Sequence, residues 1–553
     1  MKNTIAVAIG VLLVLLIAIG LYQQPNEQVI SISEEPYLVI ADKVYTDSDS
    51  VILDGETIYI SYDIIKEHVD PNLFYDENEE MVIFTDDQRV LRCTINHKEA
   101  SINHKKFYLN YPIKKVDNKI YIPEEVLYIY YNLEITHWEE TNAIVVNKQA
   151  HNHLIGVVVQ EGGDIRFSFS KKAPILLKDV AVNTELLVFE EYKDWYKVRT
   201  NDGIIGYMEK VYLKVDLINN TAGTNKAIGE GTNNSKERIN LTWDYVHTKM
   251  VSIESIEPIY GVNVVSPTWF SIVSEEGDIL DKGNQEYVSA YKNYGYQVWP
   301  LINNNFDPEL TSKLLASSNK RQELIEKIAK IYDVYGVDGI NIDFENVYMK
   351  DKELLTQFVR ELYPVFKEKG MVVSMDVTPI SVSENWSQCY DRKRLSETVD
   401  YIILMAYDQH WSTSPVEGSV AQYSWVEESL QAVLKEVPNE KLILGVPFYS
   451  RLWTIRHIDG KEEVSSKALS MDEVNSFIEE NNVELIWEEE SGQYYGEVSK
   501  DGITYKIWLE DTESLQLKAS LVNKYQLAGI ASWRKGFEKG EVWPAISNTI
   551  NFN

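Results

Sequence analysis

Cysteine is almost missing: the 553 residues contain two, Cys93 and Cys389, far apart in the chain. That scarcity excludes a disulfide framework and a cysteine-bound metal, so stability must come from ordinary hydrophobic cores, for which the chain is long enough. Positive charge is also scarce. Lys+Arg 53 against Asp+Glu 85 leaves a net charge of -32, a field that repels phosphate backbones and anionic headgroups and excludes nucleic acid as a partner. No nucleotide-binding glycine loop and no Ser/His/Asp set is found. What remains, 44% hydrophobic and 25% charged residues, is a globular composition, and at about 150 residues per domain the length predicts three or four folding units.

The N-terminus carries a continuous apolar or small run from Ile5 to Tyr22, preceded by Lys2 and followed by Gln23, Gln24 and Pro25. Its length just matches a bilayer core. No clean small-x-small cleavage site precedes Pro25, and no cysteine offers a lipid anchor. Residues 1–25 are therefore expected to form an uncleaved single-pass anchor, with a cleaved signal peptide as the alternative. The expected location is the cell membrane, N-terminus inside, with the bulk of the chain extracellular at the cell wall or spore envelope.

Over residues 36–148 the sequence repeats. Ile58-Tyr59-Ile60 recurs as Ile120-Tyr121-Ile122, each followed by a short helical pattern and then by an apolar strand, Met81 to Phe84 and Ala143 to Val146. Two copies of one α+β unit are the simplest reading. The segment resembles the stalk-like N-terminal domain of copper amine oxidases. It implies no copper here, because His68, His97, His104 and His137 show no ligand spacing. Residues 152–216 alternate short β-rich runs with turns. Asp194-Trp195-Tyr196-Lys197-Val198-Arg199 with Gly203, Gly206 and Tyr207 resembles the end of a bacterial SH3-like barrel, a wall-binding type of module. Trp195, Tyr196 and Tyr207 either line a groove or, for Trp195 and Val198, form a tiny core. Residues 217–237 read as a flexible linker.

From 238 to 553 strands alternate with helices. Eight strand-like runs start at Ile239, Val262, Tyr296, Val337, Val372, Tyr401, Leu442 and Leu527. Helical patterns lie between them, such as Leu324, Ile328, Ile331, Tyr335 before Gly336 and Leu354, Leu355, Phe358, Leu362 before Gly370. This is the pattern of a (β/α)8 TIM barrel. The seventh connection is too long for one helix. A helix near Met471 to Asn481 and a hairpin around Lys500-Asp501-Gly502 predict a small α+β insertion between strands 7 and 8.

The fourth strand reads Val337-Asp338-Gly339-Ile340-Asn341-Ile342-Asp343-Phe344-Glu345. Its alternation sends Ile340, Ile342 and Phe344 to the helices and Asn341, Asp343 and Glu345 into the barrel. Acids facing a packed interior cost several kcal/mol (about 2–7 for an unbonded polar group) unless something compensates. Glu345 stands at the C-terminal strand end, where barrel enzymes keep their catalysts. Neighbouring carboxylates there raise one pKa and keep a proton available.

This strand resembles the signature of glycoside hydrolase family 18, which contains chitinases and peptidoglycan-cleaving N-acetylglucosaminidases. Met405-Ala406-Tyr407-Asp408, Gly445-Val446-Pro447-Phe448-Tyr449-Ser450-Arg451 and Ser532-Trp533 match further strand ends in order. The resemblance implies Glu345 as acid and then base, Asp343 as partner of the substrate's acetamido nitrogen, and Tyr407 as holder of its carbonyl, in a retaining, substrate-assisted reaction. It implies that Asp408 holds a sugar hydroxyl, that Trp533 floors the ring, and that Asp338 supports the strand end. Asp338, Asn341, Tyr449, Arg451 and Trp299 join the substrate-binding set. Asn341 departs from the Asp of many members. An amide cannot share a proton with Asp343, so Asp343 is expected to ionise more easily. Among the tryptophans, Trp269, Trp299, Trp411 and Trp453 are subsite candidates, each against a core role.

The expected function is hydrolysis of β-1,4 bonds next to N-acetylglucosamine in peptidoglycan, with no cofactor and no metal. The alternatives are a chitinase or chitooligosaccharide hydrolase, and a non-catalytic wall-binding lectin.

Overall fold

The computed structural model describes residues 25–148, 153–218, 238–248, 256–458 and 461–551. The proposed anchor over 1–25 and nearly all of the linker over 217–237 lie outside the described residues. The placement at a membrane is corrected: among the described residues no helix is long and apolar enough to cross one. The chain divides into two compact units, one from the N-terminal part up to Thr232 and the other from Asn233–Asn553, with Asp76–Met81 and Thr85–Val90 grouped with the second.

In the first unit the sequence repeat is visible as pairing. The hairpins Val51–Asp54/Thr57–Ser61 and Lys114–Val116/Lys119–Pro123 join into one four-stranded sheet through their second strands. Ile60 there stands opposite Ile122, its own counterpart in the other copy. Each hairpin leads into a short helix, Tyr62–His68 and Glu124–Tyr131. Tyr37–Ile40, the first strand of copy one, runs parallel to Ala143–Lys148, the closing strand of copy two. The apolar faces of both copies merge into one core around Ile60, Phe84, Ile122 and Leu127. Residues 153–218 form a seven-stranded sheet. Trp195 is buried in it, which favours its core role, while Tyr207 packs on Phe169 at 5.6 Å. A small cluster of Tyr37, Val39, Ala143, Val145 and Ile205 joins this sheet to the repeat.

The second unit is a (β/α)8 barrel. Its strands are β1 (Ile239–Asp244), β2 (Val264–Pro267), β3 (Gln297–Val298 and Leu301–Asn303), β4 (Gly339–Asp343), β5 (Val372–Val377), β6 (Tyr401–Met405), β7 (Leu442–Pro447) and β8 (Gly529–Trp533). Neighbours pair in parallel in chain order, and β8 returns to β1 through Ile239↔Gly529, which closes the ring. The eight strands coincide with those expected from the sequence.

Alternation decides what each strand presents. Ile340, Ile342 and Phe344 pack outward with Leu324, Ile328, Leu355, Phe358 and Leu362 of the helices Ser318–Tyr335 and Lys352–Glu368. Ser317 caps the first of these helices by accepting from the Lys320 N–H, and Gly336, with φ 58, ends it in the left-handed region that favours glycine. Inside the ring Leu241, Trp243, Val264, Trp299, Leu301, Tyr401, Ile403, Ile443 and Ala531 fill the interior. Gly339 is required there: a Cβ would stand 2.7 Å from the Trp299 indole.

The insertion between β7 and β8 spans Ser450–Trp508, a five-stranded antiparallel sheet with one helix, Met471–Asn481. Ser470 and Glu473 form a reciprocal capping box at that helix's start. Asp501 and Gly502, both with positive φ, make the two-residue turn between Lys500 and Ile503.

Candidate active site

A cavity of about 870 Å³ opens among the C-terminal ends of the barrel strands. It is lined by Asp343 and Glu345 from β4, Asp376 from β5, Tyr407 and Asp408 after β6, and Trp533 from β8. Trp243, Phe306, Trp386, Trp411 and Trp425 supply aromatic walls. Every charged side chain of the lining is a carboxylate.

Asn341 lies one step below the cavity, fully buried. Its Oδ1 accepts from Trp243 Nε1 at 2.8 Å and from Ser266 Oγ at 3.3 Å. Its Nδ2 donates to Asp376 Oδ1 at 2.7 Å and to Ser374 Oγ at 3.2 Å. Both faces of the amide are thus occupied by neighbouring strands, and it cross-braces β1, β2, β4 and β5.

Burial raises the Asp343 carboxyl to about 7. Loss of hydration accounts for this rise, which needs no acid at position 341. Glu345 is pushed well above the usual carboxylate range by burial first, then by the charges of Asp343 and Asp408. Its backbone is held by Asn304, whose Oδ1 accepts from the Glu345 N–H while its Nδ2 donates to the Glu345 carbonyl. The Tyr407 phenol is raised well above 10 by burial, then by Asp376, so it stays a hydroxyl donor.

Asp408 sits at φ 56, and its carboxylate is gripped from behind. Tyr449 donates to Oδ1 at 2.6 Å, and Arg451 Nη2 donates to the same oxygen at 3.0 Å. Tyr449 and Arg451 therefore orient Asp408 and do not themselves line the cavity.

Three further expected substrate contacts are relocated. Asp338 precedes β4 at the end away from the cavity, accepting from the Val298 N–H at 3.0 Å and pairing with Lys292 at 2.8 Å. Trp299 is fully buried and stacks on Tyr401 at 5.9 Å, as part of the barrel interior. Asn341 braces strands as described. Of the other tryptophans, Trp269 and Trp453 are core, the latter donating to the Gly418 carbonyl at 2.8 Å. Trp411 does line the cavity.

Asp376 was not among the expected residues, although Val372-Val373-Ser374-Met375-Asp376-Val377 carries the same alternation as β4 and points Ser374 and Asp376 inward. Phe306, Trp386 and Trp425 come from connecting segments whose spacing gives no comparable signal.

Comparison with known proteins follows the same division of the chain. Residues 265–537 match the profile of glycosyl hydrolases family 18, and residues 39–146 that of the copper amine oxidase N-terminal domain. The uncharacterized glycosylase YvbX of Bacillus subtilis (strain 168) is 25% identical over 297 residues, covering 52% of this chain and 84% of that protein. The cortical fragment-lytic enzyme of the same organism is 26% identical over 255 residues, covering 45% of this chain and 58% of that protein. The match thus spans little over half the length of this second relative. The crystal structure of the Bacillus cereus spore cortex-lytic enzyme SleL shares the fold, with a TM-score of 0.51 at 18% identity over 68% of this chain and 90% of that one.

Proposed function

Starting from a barrel that is a family 18 glycosyl hydrolase domain, we propose that the chain is a retaining glycosidase that cuts β-1,4 bonds beside N-acetylglucosamine in peptidoglycan. The observation that carries this reading is the carboxyl of Glu345. It stands at the cavity wall, at the C-terminal end of a barrel strand, kept protonated by burial and by two neighbouring acids.

In the proposed reaction Glu345 gives its proton to the glycosidic oxygen as the bond to the leaving sugar breaks. The acetamido oxygen of the substrate closes on the anomeric carbon, forming an oxazolinium ion, so no second protein carboxylate attacks. Asp343 accepts a hydrogen bond from the acetamido N–H and balances the positive charge, while the Tyr407 hydroxyl donates to the acetamido oxygen and aligns it. Glu345, now a carboxylate, takes a proton from water, which opens the ring with the anomeric configuration retained. Trp533 floors the reacting sugar, and Asp408, oriented by Tyr449 and Arg451, holds a hydroxyl. The relationship to a cortical fragment-lytic enzyme supports peptidoglycan as the polymer.

The test compares the full chain with Glu345→Gln on vegetative peptidoglycan, cortex-type peptidoglycan and chitin oligomers, reading new reducing ends by mass spectrometry. Fragments ending in N-acetylglucosamine, released from peptidoglycan by the parent alone, support the reading. Release from chitin alone moves the substrate, and binding by both proteins without release from any polymer replaces the hydrolase with a lectin.

A further inference from the structure

The inward face of β5 holds a carboxylate to which the proposed reaction assigns no task. Asp376 is 1% exposed and borders the cavity. Its Oδ1 is bonded by Asn341 Nδ2, whereas its Oδ2 has no hydrogen-bond partner. The same is true of Oδ1 of Asp343. In the β4–β5 register Asn341 faces Ser374 and Ile342 faces Met375, so Asp343 and Asp376 form the next rung, on strands spaced about 4.8 Å apart. Two buried carboxyl oxygens without partners, on one rung of adjacent strands and facing the same interior, cost free energy if both are ionised, and are both satisfied if one of them carries a proton.

We propose that Asp376 is a positioning residue for Asp343: the two carboxyls share one proton across β4 and β5, with the Asp376 O–H donating to the Asp343 carboxylate. This rests on the glycosidase reading for its meaning, since it supplies the ionised Asp343 that the acetamido N–H and the oxazolinium charge require. The amide at 341 cannot carry that proton. Its Nδ2 instead fixes the other oxygen of Asp376, which leaves Oδ2 free to face Asp343. The titratable groups acting on Asp376 are Asp343 and Glu345 from β4 and its end, and Tyr407 after β6; no cation is among them. Burial and the two acids hold its carboxyl well above the usual range, in keeping with Asp376 as the partner that keeps the proton.

Asn341 and Asp376 are directly bonded, which permits a test by exchange. Asp376→Asn removes the shared proton. The double variant Asn341→Asp/Asp376→Asn moves the carboxyl to the neighbouring position, keeps the bond between the two side chains and leaves acceptors for Trp243 and Ser266. Protonation is read by difference infrared spectroscopy of the carboxyl bands against pH, and turnover by kcat and KM against pH, both on the full chain.

In Asp376→Asn, which removes the O–H that stabilises the Asp343 carboxylate, the ionisation of Asp343 is expected to move up by about one pH unit, a tenfold change in proton affinity. Its kcat is expected to fall about tenfold or more with KM within about threefold, the signature of an interaction made in the transition state. The exchanged double variant is expected to restore both. If Asp376→Asn leaves the Asp343 titration and kcat in place, the proposal is overturned. If that variant does not fold, an exchanged variant that folds but lacks the paired titration overturns it equally. A parent that turns over no polymer refutes the glycosidase reading alone, because the infrared titration still decides whether the two carboxyls share a proton.

Discussion

Replacing Asp343 by Asn should make the protein more stable at neutral pH while abolishing its turnover. In the fold the Asp343 carboxyl titrates near 7, against 3.8 for the free side chain, because burial penalises its charge. A raised carboxyl pKa contributes stability that is fully present below the unfolded value and is lost as pH rises through the folded one. The loss therefore runs from about pH 4 to about pH 7, at about 1.4 kcal/mol per pH unit, and reaches at most about 4 kcal/mol. An amide of the same shape has no such dependence. Urea unfolding of the full chain at pH 4.5 and pH 8, followed by tryptophan fluorescence, reads the effect in the barrel, since eleven of the thirteen tryptophans lie beyond residue 237. Asp343→Asn should match the parent within about 1 kcal/mol at the lower pH and exceed it by about 1–4 kcal/mol at the higher one. Equal urea midpoints for the two proteins at pH 8 would refute the reasoning and remove burial as the origin of the acidic cluster's behaviour.

Other predictions follow from the same contacts. Lys518 and Glu510 are both fully buried and joined at 2.8 Å, so Lys518→Met should destabilise the protein by about 3–5 kcal/mol. With burial already holding Glu510 near 7, that loss should be larger at pH 8 than at pH 5 in urea unfolding, and an additional Glu510→Gln should recover much of it. Trp411, half-exposed on the cavity wall, should contribute by stacking on a sugar face; Trp411→Ala should raise KM severalfold, for a stacking contact of about 0.5–1.5 kcal/mol, with little change in melting temperature. A fall in melting temperature without a change in KM would return Trp411 to the core.

The barrel was readable from the sequence because its strands are short apolar runs between helical patterns, and because two periods differ so clearly in β4 that Ile340 and Ile342 separate from Asn341 and Asp343. The insertion was marked by the length of the seventh connection and by the helical pattern near Met471 to Asn481. Tryptophan roles were not readable. Trp299 lies in a strand run and Trp411 in a polar stretch after β6, yet only the closure of the ring puts the first on Tyr401 and the second beside the cavity. Asp338 shows the limit of a strand motif: it precedes the paired residues of β4, and the rise along the strand carries it to the opposite end of the barrel from Glu345. The burial that raises the Asp343 carboxyl was not readable, because sequence shows which charges are near but not how much water has been removed. Asp376 was legible in principle, by applying the β4 alternation to β5.

The pairing of strands across the two N-terminal copies has a consequence for assembly. Tyr37–Ile40 completes the sheet of the other copy, and Ile60 meets its own counterpart at what is locally a two-fold axis. The pairing at Ile60 and Ile122 is the local geometry of a symmetric dimer, written on one polypeptide. Tethering turns a bimolecular encounter into an intramolecular one with an effective concentration on the order of millimolar, so the pair stays assembled at any dilution. It also fixes the stoichiometry at one folded pair for each barrel.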